Sequence, residues 1–312
     1  MYQKQIIIHV GAHKTASTYL QKRFFPELKD IYFTGNHSAN IKNNCCFYPL
    51  DQLIRSGEPL FNWQETKNNL YQNLYTIEEE TILYSQERLM GRNVIAYNNN
   101  PIITNMLVDI FPDAKIIFVF RKQDDWVESV YIEEILKRNI NLKIEYFIGI
   151  KNNNMFVRTD FLDVRHLCWD KFLLNYRQIF GDDNVLALPY EMFKLKPDVF
   201  FDYLTSFIGT DSFYPEKQVI ENKSHSLLTI KYQYYIRKIK DNKQLKESKL
   251  KQHLKLIDKS INHSIENISN KFGKKPEIIS PKHKQQILSL HKESNKKLSE
   301  IIDIDLSQYN YY

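Results

Sequence analysis

The sequence predicts an α/β fold: a central parallel sheet flanked by helices, followed by a helical, lysine-rich C-terminal region. Three observations carry this expectation. Five short apolar runs rich in β-branched residues recur along the chain, and helix-length amphipathic sequence separates each from the next. The first run breaks into a tight loop of small residues and then resumes as helix. Such alternation is what parallel strands joined by crossover helices require.

The first run, Ile6 to Val10 in "KQIIIHVGAHKTASTYLQKRF", breaks at Gly11, passes Lys14 among small residues and becomes helix-like from Tyr19. Backbone N–H groups at a helix start lack intrahelical partners and sit at the positive end of the helix dipole, so the loop suits an anion. Lys14 adds a full charge, and Thr15, Ser17 and Thr18 add hydroxyl donors. The nucleotide-binding pattern Gly-x-x-x-x-Gly-Lys-Ser/Thr is not met, because His13 precedes Lys14 and Ala16 follows Thr15. A plain βα turn with polar filling is the alternative reading of the loop.

"IYFTG" is the second strand and "ETILYS" the third, with Gln86, Glu87 and Arg88 at its tip. Ligands of parallel sheets gather at the carboxyl ends of strands, so these tips are where chemistry is expected. Glu87 reads equally as a general base or as a partner for Arg88 or Lys14. The fourth strand, "AKIIFVF", is followed immediately by Arg121, with Ser129 eight positions later on a helix starting near Asp124 or Asp125. A guanidinium fork suits a phosphate monoester, and Arg121 and Ser129 can converge on one. Pairing of Arg121 with Asp124 or Glu128 on the surface is the competing reading. "NVLALPY" supplies the fifth strand.

The 312 residues suffice for one large domain or two small ones. The formal net charge of +6 is unevenly placed: residues 231–300 carry 18 Lys/Arg against 7 Asp/Glu, a net +11, which leaves −5 elsewhere. Leu250, Leu254, Ile257, Ile261, Ile265 and Ile268 repeat at helical spacing in that segment, giving an amphipathic helix with a lysine-rich outer face. Such a face is solvated surface or a basic rim for an anionic glycan or an acidic membrane surface. The charge lacks an accompanying recognition motif and a nucleic-acid role would leave the loop motifs unexplained, so no nucleic-acid partner is expected. No apolar run is long enough to span a membrane, and the first strand begins too early and too polar for a signal peptide, so a cytoplasmic protein is expected. Cys45, Cys46 and Cys168 lack zinc-site spacing and read as free thiols.

In their order and spacing, "HVGAHKTASTYLQ" and "RKQDDWVES" resemble the two donor-binding motifs of sulfotransferases that use 3′-phosphoadenosine 5′-phosphosulfate (PAPS). The form R-x-Q-D-D-W-x-x-S-x-Y is similar to bacterial members acting on carbohydrate chains. "FGDDNVLALPYEMF", "FFDYLTSFIG" and "ESNKKLSEIIDIDLSQY" extend the resemblance over nearly the whole chain. It implies a P-loop-like sulfotransferase fold, a single domain over residues 1–312 with 225–300 as its mainly helical extension, and a donor that needs no metal. It also implies that Lys14, Thr15, Ala16, Ser17 and Thr18 hold the 5′-phosphosulfate and that Arg121 and Ser129 hold the 3′-phosphate. Lys14 would neutralise the leaving phosphate, and Glu87, or else His13, would deprotonate an acceptor hydroxyl on a glycan or glycolipid. Ala16 stands where many members have glycine, and Gln123 where cytosolic members often have proline. In "ENKSHSLL", Asn222, Lys223 and Ser224 match a later loop over the nucleotide more loosely. Other function classes are a P-loop-type kinase, against which the absent Gly-Lys pair argues, and a non-catalytic anion-binding relative.

Overall fold

The structure is a computed structural model that describes residues 4–35, 50, 63–137, 142–151, 154–155, 162–215, 230–232 and 277–312. In chain order its elements are β1 (Gln5–His9), α1 (Ser17–Tyr19), β2 (Ile31–Gly35), α2 (Trp63–Tyr75), β3 (Thr81–Ser85), α3 (Asn100–Ile110), β4 (Lys115–Phe120) and α4 (Gln123–Lys137). Then come α5 (Ile144–Ile148), β5 (Ile150–Lys151), β6 (Asn154–Met155), α6 (Trp169–Phe180), β7 (Val185–Pro189), α7 (Tyr190–Leu195), α8 (Pro197–Ile208) and α9 (Pro281–Ile302). Cys45, Cys46, the Asn222–Ser224 loop and the amphipathic stretch from Leu250 to Ile268 lie outside the described residues.

Contacts divide the chain into two compact units: residues 1–123, 165–221 and 288–312, and residues 124–164 and 222–287. The first holds a five-stranded, fully parallel sheet in the order β2-β3-β1-β4-β7. All five apolar runs of the sequence are its strands. Their side chains are buried along nearly their whole length, as expected of strands covered on both faces.

Strand alternation sorts the core into two layers. His9 is in register with Ser85 and Ile117, and its ring meets Phe25 edge-on at 5.3 Å. That face carries Phe24, Phe25 and Phe33, with Phe201 of α8 at 4.8 Å from Phe24. Phe118 points the other way, into Trp169 and Tyr176 of α6. Each of these buried aromatic rings contributes about 1.5–3 kcal/mol relative to exposure. Pro197 opens α8 and Gly209, at φ 86, closes it, the asymmetry that helix ends favour.

Gln123, noted in the sequence for occupying a common proline position, has a structural partner. Its amide donates to the Leu167 carbonyl and to Asn295 Oδ1, and accepts from Asn295 Nδ2, which also donates to the Tyr311 carbonyl. A proline could make none of these bonds. They fasten α9 and the chain end beside the exit of β4.

The second unit contains most of α4, α5 and a small antiparallel β5–β6 pair. Glu128 organises it: one carboxylate oxygen accepts from the backbone N–H groups of Ile278 and Ile279, and the other pairs with Lys284 at 2.9 Å. Ser129, the next residue on α4, is half-buried. Among the described residues no helix is long and apolar enough to cross a membrane.

Asn295→Ala orphans Gln123 Oε1 and the Tyr311 carbonyl, both inside the core. A loss of about 1–3 kcal/mol per orphaned group is expected, read as a lower urea midpoint at unchanged m-value. An unchanged midpoint would contradict the structural role given to this amide pair.

Candidate active site

Connectivity determines where the site lies. From β1 the chain turns toward β2 at one edge of the sheet, whereas from β4 it proceeds toward β7 at the other. The carboxyl ends of β1 and β4, which are neighbours, therefore flank the crevice where ligands of open α/β sheets bind. Lys14 follows the first of these strands and Arg121 comes directly after the second.

The loop after β1 stays zipped to β4 for two more bonds, Val10 N–H to the Ile117 carbonyl and Ala12 N–H to the Val119 carbonyl. It then turns sharply, with Lys14 at φ 69 and Ala16 at φ 66, both left-handed. Two non-glycine residues in that region cost roughly 1–2 kcal/mol each. The buried Thr15 hydroxyl braces the turn by donating to the Ala12 carbonyl, so its proton is used within the loop. α1 begins at once, with the Leu20 N–H on the Ala16 carbonyl, and continues as a five-residue π-turn, Leu20–Phe24. Thr18 is half-buried on the first turn, and the Ser17 hydroxyl is buried without a protein partner.

Arg121 closes the loop from the β4 side. Its Nη1 donates to the Lys14 carbonyl at 3.1 Å, across 107 residues of sequence. The guanidinium lies over the Tyr190 ring, 5.0 Å from its centroid, within cation–π range. The Arg121 carbonyl accepts from Trp169 Nε1 at 2.8 Å. Arg121 Nε is buried and has no protein partner.

His13 is held from below. Its backbone N–H donates to the Tyr97 phenol at 2.8 Å, and its Nδ1 lies 3.2 Å from the same oxygen. Tyr97 and its neighbour Ala96 are both left-handed, at φ 59 and φ 50. Local strain therefore aims the phenol at the loop. Glu87 opens a 3₁₀ turn, Glu87–Met90, directly after β3. Because His9 is in register with Ser85, this tip and the Lys14 loop leave neighbouring strands. Ser129 belongs to the second unit.

Several site residues escaped the sequence reading. Glu191, just past β7, accepts from the Lys122 N–H and from the Tyr311 hydroxyl at 2.7 Å. Burial pushes its pKa up, and the Tyr311 hydrogen bond opposes that shift. The strand-tip rule that drew attention to Glu87 and Arg121 applies equally to Tyr190 and Glu191. Nothing local in the sequence points to Tyr97. A separate cleft lined by Asp30, Glu79 and Asp211 opens at the amino ends of β2 and β3, the opposite end of the sheet.

No protein-family model and no curated protein matches the chain. Among solved structures, a sulfotransferase from Alicyclobacillus acidocaldarius matches over 98% of this chain and 98% of its own, with a TM-score of 0.55 at 14% identity. The chain has a sulfotransferase fold. Mouse sulfotransferase SULT7A1, solved in complex with PAP, covers 77% of this chain and 67% of its own at TM-score 0.40 and 16% identity. The sulfotransferase domain from the Curacin biosynthetic pathway covers 68% and 76%, at TM-score 0.41 and 15% identity.

The left-handed geometry of Ala16 gives a direct test. Ala16→Gly removes the Cβ clash but loosens the unfolded chain, for a net stabilisation of about 0.5–1 kcal/mol. Ala16→Val should destabilise by more than that. Thermal unfolding of the three proteins checks the order, and a less stable glycine variant would contradict the assigned backbone conformation.

Proposed function

We propose that this chain is a sulfotransferase that moves a sulfuryl group from PAPS to an acceptor hydroxyl on a carbohydrate or glycolipid. The observation that carries the reading is the Arg121–Lys14 hydrogen bond at the switch point of the sheet. It brings together the two basic residues that the sequence resemblance assigns to the two ends of the donor.

The residues present fit such a donor. Buried donors without protein partners, Ser17 Oγ and Arg121 Nε, are left over in the same place, and an anion with several oxygens is what satisfies them. The donor supplies an activated sulfuryl group, whose bond to the phosphate oxygen breaks as the acceptor oxygen attacks. Lys14 stabilises the negative charge that accumulates on the departing phosphate, an interaction that strengthens in the transition state. Glu87 takes the proton from the acceptor hydroxyl. It is preferred to His13 because the imidazole Nδ1 and the backbone N–H of His13 both face the Tyr97 phenol. Ser129 keeps its role by sequence motif alone, and the glycan or glycolipid class of acceptor rests on the same resemblance.

Calorimetry should show adenosine 3′,5′-bisphosphate binding far more tightly than AMP. Arg121→Ala should cost about 1.5–3 kcal/mol of that affinity, the scale of a hydrogen bond to a charged group. Equal affinity for the two nucleotides would contradict the reading. In steady-state transfer assays, Glu87→Gln should lower turnover by roughly 10²–10⁴-fold with bisphosphate affinity preserved. Collapse in His13→Ala with near-normal Glu87→Gln would reassign the base.

A further inference from the structure

Beneath the loop lies a buried polar cluster that none of the roles above uses. His9, Ser85 and Gln21 are all within the core. His9 Nδ1 lies 2.7 Å from Ser85 Oγ, and Gln21 Nε2 donates to the same oxygen at 2.8 Å and to the Ser85 carbonyl at 3.3 Å. The tautomer follows from counting donors. With Ser85 Oγ accepting from Gln21, its own proton goes to Nδ1, and the imidazole carries its hydrogen on Nε2. The opposite tautomer would strand the serine proton as well as the Nε2 lone pair.

Even in the better arrangement Nε2 is buried and has no partner. A Cβ at Gly11 would sit 2.6 Å from it, so the absent side chain of Gly11 is what makes room for the ring. Burial pushes the imidazole pKa down to about 3, so the ring is neutral. An unsatisfied buried donor costs about 1–3 kcal/mol, which an apolar residue of similar size would avoid. The cluster is therefore not explained by core packing. What it does accomplish is spatial. It ties the end of β1, two residues before Gly11, to the end of β3, two residues before Glu87, and to the π-turn that follows the loop. π-Turns of this kind recur at functional sites, and this one carries Gln21 inward.

We propose that His9, acting through Ser85 and Gln21, is a positioning residue that fixes Glu87 against the Lys14 loop. The inference rests on the sulfotransferase reading for its kinetic consequence, although the mechanical coupling stands apart from it. Misplacing a base by an ångström costs up to ~100-fold in rate while leaving donor contacts intact.

The test uses the full chain. Ser85→Ala and Gln21→Met should each lower kcat by ~10- to 100-fold, with bisphosphate affinity within about twofold of wild type. His9→Leu should behave like them, whereas His9→Asn, whose Oδ1 takes the place of Nδ1, should recover most of the rate. In a Glu87→Gln background Ser85→Ala should add no further loss, because the group it positions is already disabled. Full multiplication of the two losses, or normal kcat in Ser85→Ala, overturns the proposal. If the wild-type protein transfers no sulfuryl group, the proposed function fails on its own, and hydrogen exchange then decides the coupling. Faster exchange confined to residues 11–16 and 86–90 in Ser85→Ala supports it, and unchanged exchange there refutes it.

Discussion

The hydrogen bond from the Arg121 guanidinium to the Lys14 carbonyl is the constraint around which the site is organised. A buried guanidinium must find acceptors, and a left-handed lysine must be held in place. One contact answers both demands. It is possible only because β1 and β4 are neighbours in a parallel sheet whose connections diverge between them. The supports of Arg121 come from elements distant in sequence: Trp169 on its carbonyl, the Tyr190 ring beside its guanidinium, and Glu191, braced by Tyr311, on the adjoining Lys122 amide. The C-terminal segment is thus part of the site's foundation. Its Asn295–Gln123 amide pair anchors the same strand exit.

Around this anchor the protein accepts local instability. Lys14 and Ala16 are left-handed on one side of the site, as are Ala96 and Tyr97 on another, and Ser17, His9 and Arg121 each keep a buried polar atom without a protein partner. Strain and unsatisfied polar atoms thus gather at one end of one sheet. The rest of the first unit, with its aromatic layers on both faces, supplies the stability that permits it.

Much of the fold was legible in the sequence because parallel strands covered on both faces read as continuous apolar runs. All five runs became strands, with ends within a residue or so of those expected. Strand tips followed directly, and with them Lys14, Glu87 and Arg121. What could not be read was pairing over distance. Tyr97 meets His13 across 84 residues, Tyr311 meets Glu191 across 120, and Ser85 meets His9 across 76, with no local pattern to announce any of them. The conformation of Ala16 was equally hidden, since alanine gives no sign of a left-handed backbone. Gln123 drew attention only as a departure from a family pattern, and its function emerged once Asn295 stood beside it.

The most direct measurement of the central claim is transfer of sulfur-labelled sulfuryl from PAPS to a panel of glycans, glycolipids and phenols, run with wild type and Lys14→Ala side by side. Label is expected on a hydroxyl acceptor with wild type, and is expected to be lost in a Lys14→Ala protein that remains folded. Absence of label on every acceptor, together with transfer of the terminal phosphate of ATP by the same preparation, would contradict it.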